Sequence, residues 1–377
     1  MNTYFSAGAA QAAAGRADSG ESYIDWARAN IVGAKINLAR SGLSPLTPEE
    51  FGLDISDLPV TVEDFAFLRR YEALVAERHG TSPDRVVAST GTSHANMLAA
   101  MAFVRPGDNV VVEMPTYEPL ISLWRYFGVE VKRIARDYES GWKIDAAELE
   151  RIADEKTKLL ILTSPHNPSG ATLSHEEIRA LADIMARRGG VALVDEVYLD
   201  FWFDGRAPAG LLADNIITTS SLTKVYGLGT LRAGWALGNP QLISRMRRCI
   251  DYSVGNSSFP TLLIATRVFE NFDRFTAHSK TRAEANRKLL LDWLATAPGI
   301  ECFDPGAGIV YFPKITAPSL DSDGLFMHLR NKYDTTIVPG RFFDGMSKHF
   351  RLAIGAPEAE TRQGLANLAS ALRDLTG

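Results

Sequence analysis

The chain has 377 residues, 46% of them hydrophobic, and a formal charge of −5. That is ample apolar material for a large core in two lobes, and the mild charge without a basic block gives no footing for a nucleic-acid partner. No apolar run approaches a membrane span, and the two cysteines, Cys249 and Cys302, have neither metal-ligand spacing nor a disulfide framework, so no metal and a reducing, cytoplasmic setting are expected.

Residues 1–20 are rich in Ala and Gly without a basic start, and read as a frayed tail, not a signal peptide. Residues 23–29 predict a short helix, and 35–42 a strand running into a loop. Pro48 suits the first position of a helix. Residues 62–79 form an amphipathic helical pattern stopped by Gly80. Strands are expected at 86–89, 109–113, 129–134, 158–163, 191–194 and 216–219. Helices are expected between them at 95–104 and 118–127, and from the Ser174/Glu177 capping box to Arg188. Strands alternating with helices predict an α/β fold with a mostly parallel sheet covered on both faces. Beyond Pro240 the pattern changes to helices at 241–248, 261–272, 275–295, 323–333 and 357–375, with strands at 308–313, 336–338 and 349–354. The expected organisation is an N-terminal segment, 1–50, packing with the small domain; a large domain, 51–270; and a smaller α+β domain, 271–377.

In such sheets ligands bind beyond the carboxyl ends of the strands. Five stations fall there: Gly91 with Thr92, Tyr117, Asn167, Asp195 with Tyr198, and Ser221 with Lys224. The densest stretch is Ser220-Ser-Leu-Thr-Lys-Val-Tyr-Gly-Leu-Gly-Thr-Leu-Arg-Ala-Gly-Trp235. Lys224 is an amine that can form a Schiff base with a carbonyl. Ser221 and Arg232 can hold a phosphate by charge-assisted hydrogen bonds. A carbonyl and a phosphate on one small molecule describe pyridoxal phosphate. The plain alternative is a surface loop. A dinucleotide reading of Gly227-x-Gly229 fails, because Arg232 stands where the third glycine belongs.

The other stations also carry two readings. Asp195 can pair with a pyridine nitrogen and make the ring an electron sink, or simply cap a turn. Tyr198 and Asn167 can bond a ring hydroxyl, although Asn-Pro is also a common turn. Tyr117 can stack on a ring or merely pack. Gly91 and Thr92 open a helix whose free amides suit a phosphate, as any βα turn does. Arg351, in an alternating strand, can take a carboxylate in bidentate fashion or pair with a nearby acid. Convergence of all these at strand ends favours the cofactor reading.

Together these residues resemble the class I/II aminotransferases, the fold-type I pyridoxal-phosphate enzymes, over roughly residues 36–375. The motifs are Thr-Gly-Thr-Ser (90–93), Pro-Thr-Tyr (115–117), Asn-Pro-Ser-Gly (167–170), Asp-Glu-Val-Tyr (195–198), Ser-Leu-Thr-Lys (221–224), Arg232 before Gly-Trp, and Phe-Arg-Leu (350–352). The resemblance implies that Lys224 forms the Schiff base and then moves the substrate Cα proton. It implies that Ser221, Arg232 and the amides of Gly91, Thr92 and Ser93 hold the phosphate. Asp195 would meet the ring nitrogen, Tyr198 and Asn167 the ring hydroxyl, and Tyr117 would stack. Arg351 would hold the α-carboxylate, with Gly42 lining the substrate side. An amino acid and a 2-oxo acid as substrates, and a homodimer with sites at the subunit interface, are also implied.

One departure stands out. Many members place a tyrosine before the Leu-Arg of the first long helix, reaching the partner's phosphate. Here none precedes Leu68-Arg69, and Tyr71 is out of register; Tyr23 or Tyr4 is offered in its place. No second arginine for a side-chain carboxylate is evident. Arg40, Trp26, Tyr252 and Arg341 are offered as pocket walls. The turn Ser164-Pro-His-Asn-Pro-Ser-Gly170 also resembles members of the capreomycidine synthase type, where the same cofactor serves elimination and cyclisation. The expected reaction is amino transfer from an L-amino acid to a 2-oxo acid, with elimination or cyclisation as the alternative. A non-catalytic ligand sensor is disfavoured, because the residues before Ile36 are too few for a DNA-binding domain.

Overall fold

A computed structural model describes residues 22–31, 33–55, 58 and 64–376. The expectations for residues 1–20, Tyr4 and Val62 lie outside the described residues. β1 (Ile36–Asn37) comes first, followed by the eight strands of the main sheet. These are β2 (Val86–Ser89), β3 (Asn109–Met114), β4 (Glu130–Asp137), β5 (Lys143–Ile144), β6 (Thr157–Thr163), β7 (Val191–Asp195), β8 (Ile216–Ser221) and β9 (Gly234–Gly238). Their order is β2-β9-β8-β7-β6-β3-β4-β5.

The central strands are continuous apolar runs because both faces are covered. Along β6, Leu159 and Ile161 face the helices Thr92–Phe103 and Pro240–Ser253. Leu160 and Leu162 face the opposite helix, His175–Ala186. The pairs β4–β3, β3–β6, β6–β7 and β7–β8 are parallel. The sheet is therefore mostly parallel, as the alternating pattern predicts.

β9 is a strand the sequence pattern does not reveal. It lies antiparallel between β8 and β2 and starts at the end of the glycine-rich stretch 220–235. Its apolar run, Trp235-Ala236-Leu237, is bounded on both sides by glycines, which read as turn residues. Its end glycines serve close approach: a Cβ on Gly234 would lie 2.7 Å from Gly91 Cα, and one on Gly238 2.9 Å from the Ile216 carbonyl. Because β9 opposes both neighbours, β2 runs the same way as β8, so the carboxyl ends of β2, β3, β6, β7 and β8 share one edge.

The rest of the chain builds small sheets against three long helices, Phe272–Leu294, Ser322–Tyr333 and Glu358–Thr376. β10 (Ile300–Glu301) pairs with β12 (Lys314–Ile315). β11 (Val310–Tyr311), β15 (Phe350–Ala353) and β14 (Val338–Pro339) form an antiparallel sheet with β15 central. β1 joins this side, running parallel to β13 (Thr335–Thr336). The expected strand at 336–338 is thus divided between β13 and β14. Among the described residues no helix is long and apolar enough to cross a membrane.

Candidate active site

The shared strand edge opens into a cavity of about 210 Å³. Thr92, Ser93, Tyr117, Asn167, Asp195, Tyr198, Ser221, Lys224 and Arg232 all line it, so each of the five stations contributes, with Ser93 and Arg232 beside them.

Under the cavity a buried polar network fixes the strand ends. Arg136 of β4 donates from Nε to Glu113 of β3 at 2.7 Å and from Nη2 to the Thr163 carbonyl of β6 at 2.8 Å. Glu113 also accepts from the Thr163 amide at 2.7 Å. His166 joins the two loops above. Its Nε2 lies 2.8 Å from the Pro115 carbonyl and must carry the proton, while Nδ1 takes the Ser169 hydroxyl at 2.7 Å. Burial and the nearby Arg136 keep this imidazole neutral. Asn167 and Tyr117 are thereby held on one scaffold.

Asp195 ends β7, almost fully buried. Its Oδ2 accepts from Asn96 Nδ2 at 3.1 Å and its Oδ1 from the Val197 amide at 3.1 Å. Burial raises its pKa to about 6, against the pull of the Asn96 hydrogen bond. Lys224 is half-buried, and burial with Arg351 nearby lowers its amine to about 8. Its Nζ donates to Ser41 Oγ at 2.9 Å. The Tyr198 hydroxyl is buried without a hydrogen-bond partner of good geometry, and burial pushes it up to about 12.

At the other end of the cavity, the helix Thr92–Phe103 starts at Gly91, and no side chain caps it. Ser221 Oγ accepts from the Thr92 hydroxyl at 2.9 Å. Arg232 lies across this helix start, in the left-handed region at φ 53°. Only glycine at 91 permits that approach, since a Cβ there would be 2.4 Å from Arg232 Nη2. A guanidinium, hydroxyls and uncapped amides at one spot form an anion cradle.

Arg351 is fully buried on β15. It donates to Asn167 Oδ1 at 3.2 Å, to the Tyr23 hydroxyl at 2.8 Å and to the Ala39 carbonyl at 2.9 Å. Its Nε has no acceptor, a buried donor suited to a carboxylate. With Oδ1 of Asn167 engaged, its amide NH₂ is left for the cavity.

Some expected positions shift. Gly42 lies beneath Lys224, where a Cβ would meet the lysine Cα and Cδ at 3.1 Å, and Ser41 faces the cavity in its place. The loop direction, which sets this one-residue offset, leaves no trace in the sequence. Tyr71 packs in the core with its hydroxyl on the Gly234 carbonyl at 3.2 Å. Tyr23 is engaged by Arg351 of its own chain. Trp26 is core, and Tyr252 stands on the open surface. Arg341 pairs with Asp323. Ser41, Asn96, Thr163 and Tyr23 are site residues that the motifs do not reveal, because each is a common residue type whose partner is distant in sequence.

The geometry suits one kind of molecule: a flat ring with an anionic tail at one end, a basic nitrogen over Asp195 and a carbonyl within reach of Lys224. Two orphaned buried atoms, Tyr198 Oη and Arg351 Nε, await polar partners from such a molecule and its substrate. These features fit a pyridoxal-phosphate site on a fold-type I scaffold. Residues 62–368 match the model of aminotransferase class I and II, and the chain belongs to that family, with pyridoxal 5'-phosphate as its cofactor. It is 32% identical over 361 residues to capreomycidine synthase of Streptomyces vinaceus, covering 92% of each chain. It is 26% identical over 317 residues to arginine–pyruvate transaminase of Pseudomonas aeruginosa, covering 80% of each. The crystal structure of the PLP-dependent cyclase OrfR superposes with a TM-score of 0.83 at 25% identity, covering 95% of this chain and 98% of the other.

Proposed function

We propose that the protein is an aminotransferase that moves the amino group of an L-amino acid onto a 2-oxo acid. The observation that carries this reading is the Lys224 amine, which lines one cavity with the Asp195 carboxylate and with Asn167, the partner of the buried Arg351 guanidinium. When bound, the cofactor supplies the aldehyde for amine exchange and a ring that delocalises charge from the substrate Cα. Ser221, Arg232 and the amides of Thr92 and Ser93 hold its phosphate. Asp195 holds a proton on the ring nitrogen, Tyr198 and Asn167 engage the ring hydroxyl, and Tyr117 flanks the ring. Arg351 receives the substrate α-carboxylate and orients Cα toward Lys224. The lysine amine, its pKa lowered to about 8 by burial, takes the proton from Cα and delivers it to the cofactor's former aldehyde carbon, as amino transfer requires. Ser41 accepts one N–H of that amine and so leaves its lone pair for the substrate.

A second reading, elimination or cyclisation on the same cofactor, is favoured by the similarity to capreomycidine synthase and to the cyclase OrfR. Single-turnover absorbance of the loaded protein against the common amino acids, arginine first, separates the two. Arginine leads because a relative is named for it, and Glu118 lines the larger opening beside the cavity. Conversion to the pyridoxamine phosphate band, reversed by pyruvate, supports amino transfer. Release of ammonia or water without that band supports the second reading. Lys224→Ala should abolish the lysine-bound absorbance and lower turnover by about a thousandfold or more. Retained absorbance in that variant would remove Lys224 from its role.

We also place the protein as a cytoplasmic homodimer. An opening of about 1200 Å³ beside the site, edged by Tyr117, Glu118 and Phe342, suits closure by a second copy. The free thiols Cys249 and Cys302 suit a reducing compartment. Sedimentation at two protein concentrations tests the dimer.

A further inference from the structure

We propose that Asn96 is a positioning residue for the reaction, fixing the Asp195 carboxylate through a relay that begins at the Thr219 hydroxyl. The inference rests on the reading that Asp195 meets the cofactor's ring nitrogen.

Asn96 lies one turn into the helix Thr92–Phe103, among Ala95, Leu98, Ala99 and Ala100. An amide buried on such an apolar helix is costly unless both of its ends are satisfied. Both are. Thr219 Oγ1 donates to Asn96 Oδ1 at 2.7 Å, and Asn96 Nδ2 donates to Asp195 Oδ2 at 3.1 Å. Thr219 stands directly beside Asp195 in the parallel pairing of β8 with β7, so both reach toward the same side chain from adjacent strands.

The chemistry allows one orientation of the amide. An ionised carboxylate only accepts, so the NH₂ end must face Asp195. The carbonyl end then needs a donor, and the Thr219 hydroxyl is that donor. The reverse orientation would put the amide oxygen against the carboxylate. Asp195 thus sets the direction of Asn96, the Thr219 hydroxyl satisfies and anchors its far end, and Asn96 in turn holds the rotamer and charge of Asp195. The Val197 amide takes the other carboxylate oxygen at 3.1 Å, which leaves one free lone-pair direction on each oxygen for a ligand. In a nearly dry pocket, a donor to the ionised form keeps Asp195 able to hold a proton on a pyridine nitrogen.

A purely structural Asn96 would join helix to sheet and nothing more. Binding of two ligands to the cofactor-free protein distinguishes the roles. One ligand is pyridoxal phosphate, and the other is an analogue with a C–H in place of the ring nitrogen. The wild-type protein should prefer pyridoxal phosphate. Asn96→Leu should weaken pyridoxal phosphate by about tenfold or more and leave the analogue within about threefold, because only the nitrogen-bearing ring depends on Asp195. Thr219→Val keeps the shape of the site and removes the hydroxyl donor. It should shift the same preference in the same direction by a smaller factor, which keeps the test open if Asn96→Leu fails to fold. Equal weakening of both ligands in the two variants, or none, overturns the relay. A wild-type protein with no preference overturns the pairing of Asp195 with the ring nitrogen, and the relay with it.

Discussion

The sheet edge and the β15 side of the cleft reach the same cavity by different means. On the sheet edge, each residue is delivered by a strand that ends on cue: Asp195 after Val191–Val194, Ser221 and Lys224 after β8, Asn167 after β6. The apolar run that forms the strand and the polar residue that does the work are neighbours in sequence. On the other side nothing is local. Arg351 meets Ala39 and Tyr23 across more than 300 residues, and β1 finds its partner at Thr335. A parallel sheet fixes the positions of its strand ends before any ligand arrives. The opposite wall exists only when distant segments close on it. The first wall is suited to holding a constant group, and the second to meeting a changing one.

This contrast can be broken experimentally. Arg351→Lys keeps the charge but loses the guanidinium fork, and should lower kcat/KM by about a hundredfold. Its cofactor affinity should stay near that of the wild type. A matching loss of cofactor in the titration would assign Arg351 to the sheet-side function and erase the division.

Lys224 tests the cost of the arrangement on the sheet side. Its folded pKa, about 8, lies below the ordinary lysine value of 10.5. Between those values the unfolded chain binds more protons, so folding stability rises with pH there. Below about pH 8 the full penalty of the half-buried charge applies. Lys224→Met should therefore stabilise the cofactor-free protein at pH 7 by about 1–3 kcal/mol. The gain should shrink toward zero as pH rises to 10.5. Thermal unfolding at pH 7 and pH 10 measures it, and a constant difference would mean that the amine is not perturbed.

Ser41→Ala sharpens the smallest point. It should cut kcat by about tenfold by loosening the Lys224 amine, with little change in cofactor binding. Ser41→Thr should recover part of the loss. If cofactor affinity falls as much as kcat, Ser41 serves binding and not the orientation of the amine.

Legibility in the sequence follows the same division. The parallel sheet and the meeting of Thr92, Ser221, Lys224 and Arg232 at one cavity were readable, because apolar runs and glycines announce them locally. β9 was not, since its apolar run is only Trp235-Ala236-Leu237 between two glycines, and its place is set by Gly91 at a helix start and Ile216 on β8. Asn96 reads as an ordinary helical residue until Thr219 and Asp195 are placed beside it. Gly42 is visible as a tight spot, but whether it or Ser41 faces the cavity depends on a loop whose course is decided by Lys224 and Gly355. Tyr23 shows the same limit, because its partner Arg351 lies at the far end of the chain.

The segment 41–44 has one more consequence. The Leu43 amide bonds the Lys224 carbonyl at 2.8 Å, and the Ser44 amide bonds the Gly355 carbonyl at 2.9 Å. A Cβ on Gly355 would sit 2.2 Å from the Gly42 carbonyl. The main chain of 42–44 is therefore stacked directly between the main chains of Gly355, just past the strand of Arg351, and of the lysine. Their spacing is a ruler made of peptide bonds, with no side chain in it to lengthen or shorten. Such a ruler measures the one part that every α-amino acid has in common. The variable part of the substrate is left to be judged elsewhere in the cleft, where side chains line the walls and can be exchanged.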